Sequence, residues 1–328
     1  MPAPIRWGIL GPGSIAHKFA VGLQAISAGE LVAVGSRDQQ RADAFADQYG
    51  APNRHASYEA LSADPDIDAV YVATPHPFHK DNSILCLEAS KAVLCEKPFT
   101  INAAEAEAVV ACARANGVFL LEAMWTRYLP IMVQVRQWLD AGAIGEPLMV
   151  SADFGFRAGV NPEGRLFNPA LGGGALLDIG IYVVSFAAMV LGSQPAQIAA
   201  AAHLGETGVD EQTGIVLRYS SGAIANLSCA IRAATSHEAR IVGSEGTIVI
   251  DPSWWKGESA TLKAGGREER IELPLAGNGY NYEAQEVARC LGEGLTESAV
   301  MPLDETVALM RILDEIRAQI GLKYPMEL

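Results

Sequence analysis

The sequence predicts an α/β protein of two domains. A doubly wound parallel sheet occupies residues 1–124, and an α/β domain with an open, mostly antiparallel sheet occupies residues 125–328. Three observations predict it. The chain has 328 residues, which at about 100–200 residues per domain makes two. Up to residue 121, short apolar runs alternate with helix-spaced segments. After Met124 the runs lengthen, and several alternate apolar with polar residues, as in a sheet with one covered face.

In order, residues 5–10 read as an apolar strand, 14–28 as a helix, 31–35 as a strand and 38–49 as an alanine-rich helix. Residues 69–73 form a third strand, ended by Thr74 and Pro75. A helix over 80–90, a strand over 92–95, a helix over 103–116 and a strand over 118–121 follow. Strands apolar on both faces and separated by helices belong to a parallel sheet. Beyond the boundary near residue 124, a helix over 129–141 precedes strands over 147–156, 197–204, 214–219, 223–231, 237–243 and 246–250. Turn signals at Ser220-Ser221-Gly222 and Ser244-Glu245-Gly246 separate them. Residues 304–320 form a final helix, and 157–168 and 253–266 read as loops. No internal repeat or low-complexity tract is visible.

Half the residues are hydrophobic, which supplies a core and excludes global disorder. The net charge of -14 opposes a nucleic-acid partner, although local backbone dipoles can still hold one small anionic cofactor. Cys86, Cys95, Cys112, Cys229 and Cys290 are scattered without a C-x-x-C pair, as reduced thiols are, and neither a disulfide framework nor a zinc site is expected. Residues 1–10 pass from two prolines into a strand, unlike a secretory signal. The apolar run at 179–192 is shorter than the roughly 20 residues a membrane span needs. A soluble cytoplasmic protein with no membrane partner is expected.

Gly11-Pro12-Gly13-Ser14-Ile15-Ala16 reads G-x-G-x-x-A between a strand and a helix. The first glycine permits a tight turn, the second lets a pyrophosphate reach the backbone, and Ala16 allows close helix–strand packing. The phosphates of a dinucleotide would rest on the helix N-terminus. Where an NAD site usually carries an acidic residue, this chain has Ser36 and Arg37, with Arg41 one turn on. Two guanidinium groups beside a hydroxyl suit a 2′-phosphate, so NADP is expected rather than NAD. The alternative is that Asp38 holds the ribose and both arginines are solvated.

Three further pieces carry chemistry. Thr74, Pro75, His76 and His79 follow the third strand, at the sheet end where ligands bind. The histidines either line the cofactor cleft or are plain loop residues. Their H-x-x-H spacing lacks further ligands, so no metal is expected. Glu96-Lys97-Pro98 ends the fourth strand, with Lys97 either a snorkelling charge or a cation near the nicotinamide. In residues 172–182, Asp178 and Tyr182 lie four apart on an otherwise apolar helix. A carboxylate and a phenol there need partners or a ligand; capping by Asp178 beside a core Tyr182 is the alternative.

Together these pieces, with Gly243-Ser244-Glu245-Gly246-Thr247, resemble the glucose–fructose oxidoreductase/inositol dehydrogenase (Gfo/Idh/MocA) family over essentially the whole chain. Glu122-Ala123-Met124-Trp125-Thr126-Arg127, residues 171–182, Met301-Pro302-Leu303 and Gly321-Leu322-Lys323-Tyr324-Pro325 are most similar to its dimeric dihydrodiol dehydrogenase and NADP-dependent xylose dehydrogenase branch. Many sugar and inositol dehydrogenases have His where this chain has Tyr182; the branch has Tyr. The resemblance implies a Rossmann domain, a C-terminal α/β domain and a homo-oligomer, dimer or tetramer, packed through the C-terminal sheet. It implies cofactor contacts at Gly11, Gly13, Ser14, Ile15, Ser36, Arg37, Arg41, Thr74, Pro75, His76, His79, Glu96, Lys97, Trp125 and Arg127.

The expected reaction is reversible hydride transfer between NADP(H) and a carbinol carbon of a sugar or cyclic vicinal diol. Lys97, Tyr182 and Asp178 form the expected catalytic set. Tyr182 is the acid/base, its phenol, with a reference pKa of about 10, brought nearer working pH by the Lys97 ammonium. Asp178 orients Lys97 or a substrate hydroxyl, and Trp125, Phe154 and Phe156 form an apolar wall of the substrate site. The competing readings are a 1,5-anhydrofructose-type sugar reductase and a non-catalytic NADP(H)-binding sensor.

Overall fold

A computed structural model describes residues 3–328; Met1 and Pro2, where the reading against a signal segment begins, lie outside the described residues. Strands β1 (Ile5–Leu10), β2 (Gly29–Gly35), β3 (Asn53–His55), β4 (Ala69–Val72), β5 (Ala92–Glu96) and β6 (Leu120–Ala123) form one sheet in the order β3-β2-β1-β4-β5-β6, every pair parallel. The order reverses at β1, the switch point at which a doubly wound sheet opens a crevice beyond its carboxyl ends. Helices α1 (Ser14–Leu23), α2 (Gln39–Tyr49), α3 (Tyr58–Ser62), α4 (His79–Glu88) and α5 (Ala103–Asn116) connect the strands. Side chains of Asp38, Ser57 and Asn102 cap α2, α3 and α5, and left-handed Gly50 and Gly117 end α2 and α5. β4 and β5 are buried along their whole length, as their unbroken apolar sequence requires.

The second sheet follows α6 (Pro130–Asp140). Its strands are β7 (Pro147–Gly155), β8 (Gln197–Leu204), β9 (Asp210–Arg218), β10 (Ile224–Ala230), β11 (Ala239–Gly243), β12 (Gly246–Ile250), β13 (Ser259–Ala264) and β14 (Arg267–Glu272). They lie in the order β14-β13-β12-β11-β7-β10-β9-β8, antiparallel except for the β7–β10 pair. Helix α7 (Ile181–Leu191) covers β7 and β10. The apolar stretch Pro169–Leu191 reaches further than the run at 179–192: length and composition alone would let it cross a membrane, but it is mostly buried inside this unit. β8 is an edge strand rich in alanine. Gln319 blocks it as a paired strand would: its amide donates to the Ile198 carbonyl at 3.0 Å and its oxygen accepts from the Ala200 amide at 2.9 Å.

Helices α8 (Tyr280–Gly292) and α9 (Leu303–Ile320) complete the chain. One compact unit comprises residues 1–128 and 276–307, the other 129–275 and 308–328. Residues 276–307, assigned by the sequence to the second domain, therefore pack with the first: α8 lies on α1 and β2, and the Arg127 guanidinium bonds Glu305 at 2.6 Å. Residues 253–266, expected as a loop, contain β13. Its partner β14 carries charge at nearly every position and so shows no apolar alternation.

Glu122 on β6 is almost fully buried. Burial raises its pKa from 4.5 to about 7, against the pull of Arg127. The unfolded chain releases this proton near its ordinary pKa, the folded chain only near 7, so stability falls as pH rises through that window and stays low above it. Glu122→Gln should therefore raise the free energy of unfolding more at pH 8 than at pH 5, by a differential of about 2–3 kcal/mol in denaturant titrations. Equal effects at both pH values would show that Glu122 ionises freely.

Candidate active site

Each unit carries its own group of functional side chains. In the first, β1 turns at Gly11, where φ is +90° and a Cβ would lie 3.0 Å from Thr74 Cγ2. The Gly11 amide donates to the Gly35 carbonyl, tying the turn to the end of β2. Gly13 is the extended N-cap of α1 and supplies no side-chain acceptor, so the amides of the first turn, beginning at Ser14 and Ile15, are presented to an anion. Beside them is a cavity of about 600 Å³ lined by Gly11, Gly13, Ser36, Arg37, Arg41, Thr74 and Pro75. Tyr58 lines it too; the sequence marked nothing there, because the five-residue α3 has too few turns to show a period.

Asp38 lines this cavity as well. Its carboxylate caps α2, accepting from the amides of Gln40 at 2.9 Å and Arg41 at 3.4 Å. Arg37 lies over the Phe78 ring at 5.7 Å, and Arg41 is exposed one turn away. Two cations, a nearby hydroxyl and uncapped amides form a donor set that fits the phosphates of a dinucleotide.

Three expected cofactor contacts are placed otherwise. His79 is fully buried, with ring nitrogens 2.7 Å from the Thr74 carbonyl and 2.9 Å from the Pro98 carbonyl. It is a strut joining the loop after β4 to the turn after β5, and burial holds its pKa below the ordinary value. Glu96 turns into the core, accepting from the Tyr71 hydroxyl and from the Lys97 amide at 3.2 Å. Arg127 is buried against Glu305 and the Val300 carbonyl. Sequence shows residue type and not the direction of a side chain, and these three point inward. His76 is buried in the turn after β4, its ring 5.7 Å from that of His79. Among the described residues, no group of three His, Cys, Asp or Glu side chains is arranged to hold a metal ion. Lys97 follows β5 at the carboxyl end of the sheet, in a cis peptide with Pro98. Trp125 stacks on Tyr280, ring centroids 4.7 Å apart.

In the second unit, Asp178 lies in a π turn, Leu176–Gly180, that runs directly into α7 and Tyr182. Both side chains are buried. Asp178 lies inside the turn, whose N-cap is Ala175, and Arg165 grips it with two hydrogen bonds of 2.9 and 3.3 Å. The Phe154 ring lies 5.6 Å from that of Tyr182, 6.4 Å from Phe156 and stacks on Trp255 at 3.5 Å, while His237 closes the group edge-on. Asp153 anchors this wall, accepting from the His237 amide at 2.7 Å and the Ser236 hydroxyl at 2.9 Å. Burial alone would raise the Asp153 pKa, but these bonds hold it below the ordinary value. Arg165, Trp255 and His237 were missed by the sequence reading. The adjacent Trp254-Trp255 pair was an available signal; Arg165, in an irregular segment, had none.

Comparisons with known proteins identify the family. Residues 5–123 match the oxidoreductase family with an NAD-binding Rossmann fold, and residues 132–249 match the GFO/IDH/MocA C-terminal domain. The chain belongs to the Gfo/Idh/MocA oxidoreductase family. Among relatives of this Gfo/Idh/MocA protein, trans-1,2-dihydrobenzene-1,2-diol dehydrogenase of Mus musculus is 40% identical over 334 residues, covering 98% of this chain and 99% of that protein. The aldose–aldose oxidoreductase of Caulobacter crescentus, solved with glycerol, superposes with a TM-score of 0.89 at 26% identity, over 97% of this chain and 98% of that one. KijD10, a 3-ketoreductase from Actinomadura kijaniata solved with NADP and TDP-benzene, gives a TM-score of 0.85 at 27% identity over the same shares.

The Arg165–Asp178 pair has a direct test. Arg165→Met removes the partner of two hydrogen bonds to a buried carboxylate, so the variant should unfold at a lower urea midpoint, a loss of about 1–3 kcal/mol. An unchanged midpoint would show that the pair adds nothing to stability.

Proposed function

We propose that this NAD(P)-dependent dehydrogenase of CH–OH groups uses NADP(H), and that it transfers a hydride to or from a carbinol carbon of a sugar or cyclic vicinal diol. The observation that carries the reading is the pairing of a buried carboxylate, Asp178, with a buried phenol, Tyr182, on one turn of helix against the aromatic wall of Phe154, Phe156 and Trp255. Ring C–H faces of sugars and diols pack on such walls while a few polar groups fix their hydroxyls. The relatives' names, a trans-diol dehydrogenase and an aldose–aldose oxidoreductase, support that substrate class. The Ser36, Arg37 and Arg41 set, and the NADP complex of KijD10, support the cofactor choice.

NADP, when bound, supplies the hydride acceptor. In oxidation, the Tyr182 phenolic oxygen takes the proton leaving the carbinol hydroxyl; in reduction it returns that proton to the carbonyl oxygen. Asp178, steadied by Arg165, orients a neighbouring hydroxyl of the substrate, and Lys97, at the carboxyl end of the first sheet, is the alternative proton donor.

The second sheet also supports a homo-oligomer. Its face opposite α7 carries Ala199 and Ala201 on β8, Gly214 and Val216 on β9 and Met149 on β7, small or apolar and solvent-exposed in a single chain. Such a flat face packs closely against its own copy.

Three outcomes test these points. Tyr182→Phe should lower kcat at least ~100-fold and leave NADPH affinity within about twofold; unchanged turnover would pass the proton role to Lys97. Arg37→Ala combined with Arg41→Ala should weaken NADPH at least ~10-fold while NADH changes little; parallel losses would return the ribose to an NAD-type site. Val216→Glu should convert an oligomer into a monomer by sedimentation equilibrium, and an unchanged mass would remove the sheet from the interface.

A further inference from the structure

The helix carrying Asp178 and Tyr182 begins without a cap of its own. Ala175, at the N-cap of the π turn, is helical and has no side-chain acceptor. The acceptor comes from the start of β9. Asp210 is fully buried, and its Oδ2 accepts from the Leu176 amide at 2.8 Å and the Thr213 hydroxyl at 2.7 Å. Gly174 has a φ of +117°, and a Cβ there would lie 2.2 Å from Asp210 Oδ1, so the backbone passes directly over the carboxylate. That oxygen has no hydrogen-bond partner among the described residues. From another part of the chain, the Tyr324 hydroxyl donates to the Gly173 carbonyl at 2.7 Å. Two side chains distant in sequence therefore pin one short turn. A buried carboxylate with one unmatched oxygen costs folding free energy. Its place under the positive end of the helix offsets part of that cost.

We propose that Asp210 is a positioning residue for the reaction: by holding the Leu176 amide it keeps the π turn in register, so that Asp178 and Tyr182 are presented together. The inference rests on the roles proposed above for those two residues. A π turn holds one residue more than an α turn, and losing it slips the helix by one position, which rotates a side chain by about 100°. Tyr182 and Asp178 lie on either side of that junction. A slip would turn one of them away while the fold survived.

The test compares Asp210→Asn, which keeps an acceptor oxygen, with Asp210→Val, which removes it at similar volume. Steady-state kinetics, NADPH affinity and hydrogen exchange of peptides covering 172–182 are measured in the full-length protein. Asp210→Val should lose kcat at least ~30-fold, keep NADPH affinity within about twofold and exchange faster over 174–178; Asp210→Asn should keep kcat within about fivefold and exchange like wild type. A folded Asp210→Val with near-wild-type kcat and exchange overturns the proposal. So does Asp210→Asn, folded as wild type, with kcat at least ~10-fold down, and this arm stands even if the valine variant fails to fold. Tyr182→Phe, measured in parallel, separates the two readings. If it turns over normally, the reading of Tyr182 has failed, and exchange over 174–178 alone decides whether Asp210 holds the turn.

Discussion

The constraint on which the rest of the structure depends is the cost of burying ionisable groups beside a reaction centre. An unmatched buried charge costs several kcal/mol. Several such groups are held by specific partners: Asp178 by Arg165, Arg127 by Glu305, Glu96 by the Tyr71 hydroxyl, and Asp210 by the Leu176 amide and the Thr213 hydroxyl. Where the matching is weakest, the carboxyl stays protonated. Burial and the neighbouring Glu96 push the Glu283 pKa well above the ordinary value, and burial brings Glu122 and Asp210 to about 7. The result is a set of polar side chains whose directions are over-determined, as chemistry that depends on orientation demands.

The cofactor end follows a different rule. The chain carries a net charge of -14, yet the cavity beside Gly11 and Gly13 is suited to phosphates. Local terms win because they act within a few ångströms: uncapped amides at the start of α1 and two guanidinium groups outweigh a distant field that salt screens over about 10 Å. Asp38 also lines this cavity, and one of its oxygens is engaged in capping α2, accepting from the Gln40 and Arg41 amides. One helix start thus presents amides to the ligand while the next engages one oxygen of the neighbouring carboxylate.

Much of the fold was legible in the sequence. Strands buried on both faces show as unbroken apolar runs, so β1, β4 and β5 were found almost residue for residue, and G-x-G-x-x-A marked the turn that needs a positive φ. Elements lacking that signal were lost. β3 and α3 are too short to show a period, β14 is an edge strand of alternating charges, and α8 has an apolar face interrupted by Asn281 and Glu283, which are buried. At the site, Asp178, Tyr182, Phe154 and Phe156 lie in one unit, with the Phe154 ring beside those of Tyr182 and Phe156. Asp210 escaped because the apolar alternation of β9 begins only at 214, four residues after the strand itself. His79, Glu96 and Arg127 were read as cofactor contacts from position alone, and their hydrogen bonds place them in the interior.

The central claim is that a hydride moves between a carbinol carbon and the bound cofactor. The most direct measurement incubates the protein with NADP and, in turn, an aldose and a trans-diol deuterated at the carbinol carbon, then reads the reduced cofactor by NMR. The account predicts deuterium in the reduced nicotinamide in proportion to the carbonyl product formed. NADP that binds while neither substrate class delivers any label would contradict it, and would describe a dinucleotide-binding protein without this reaction.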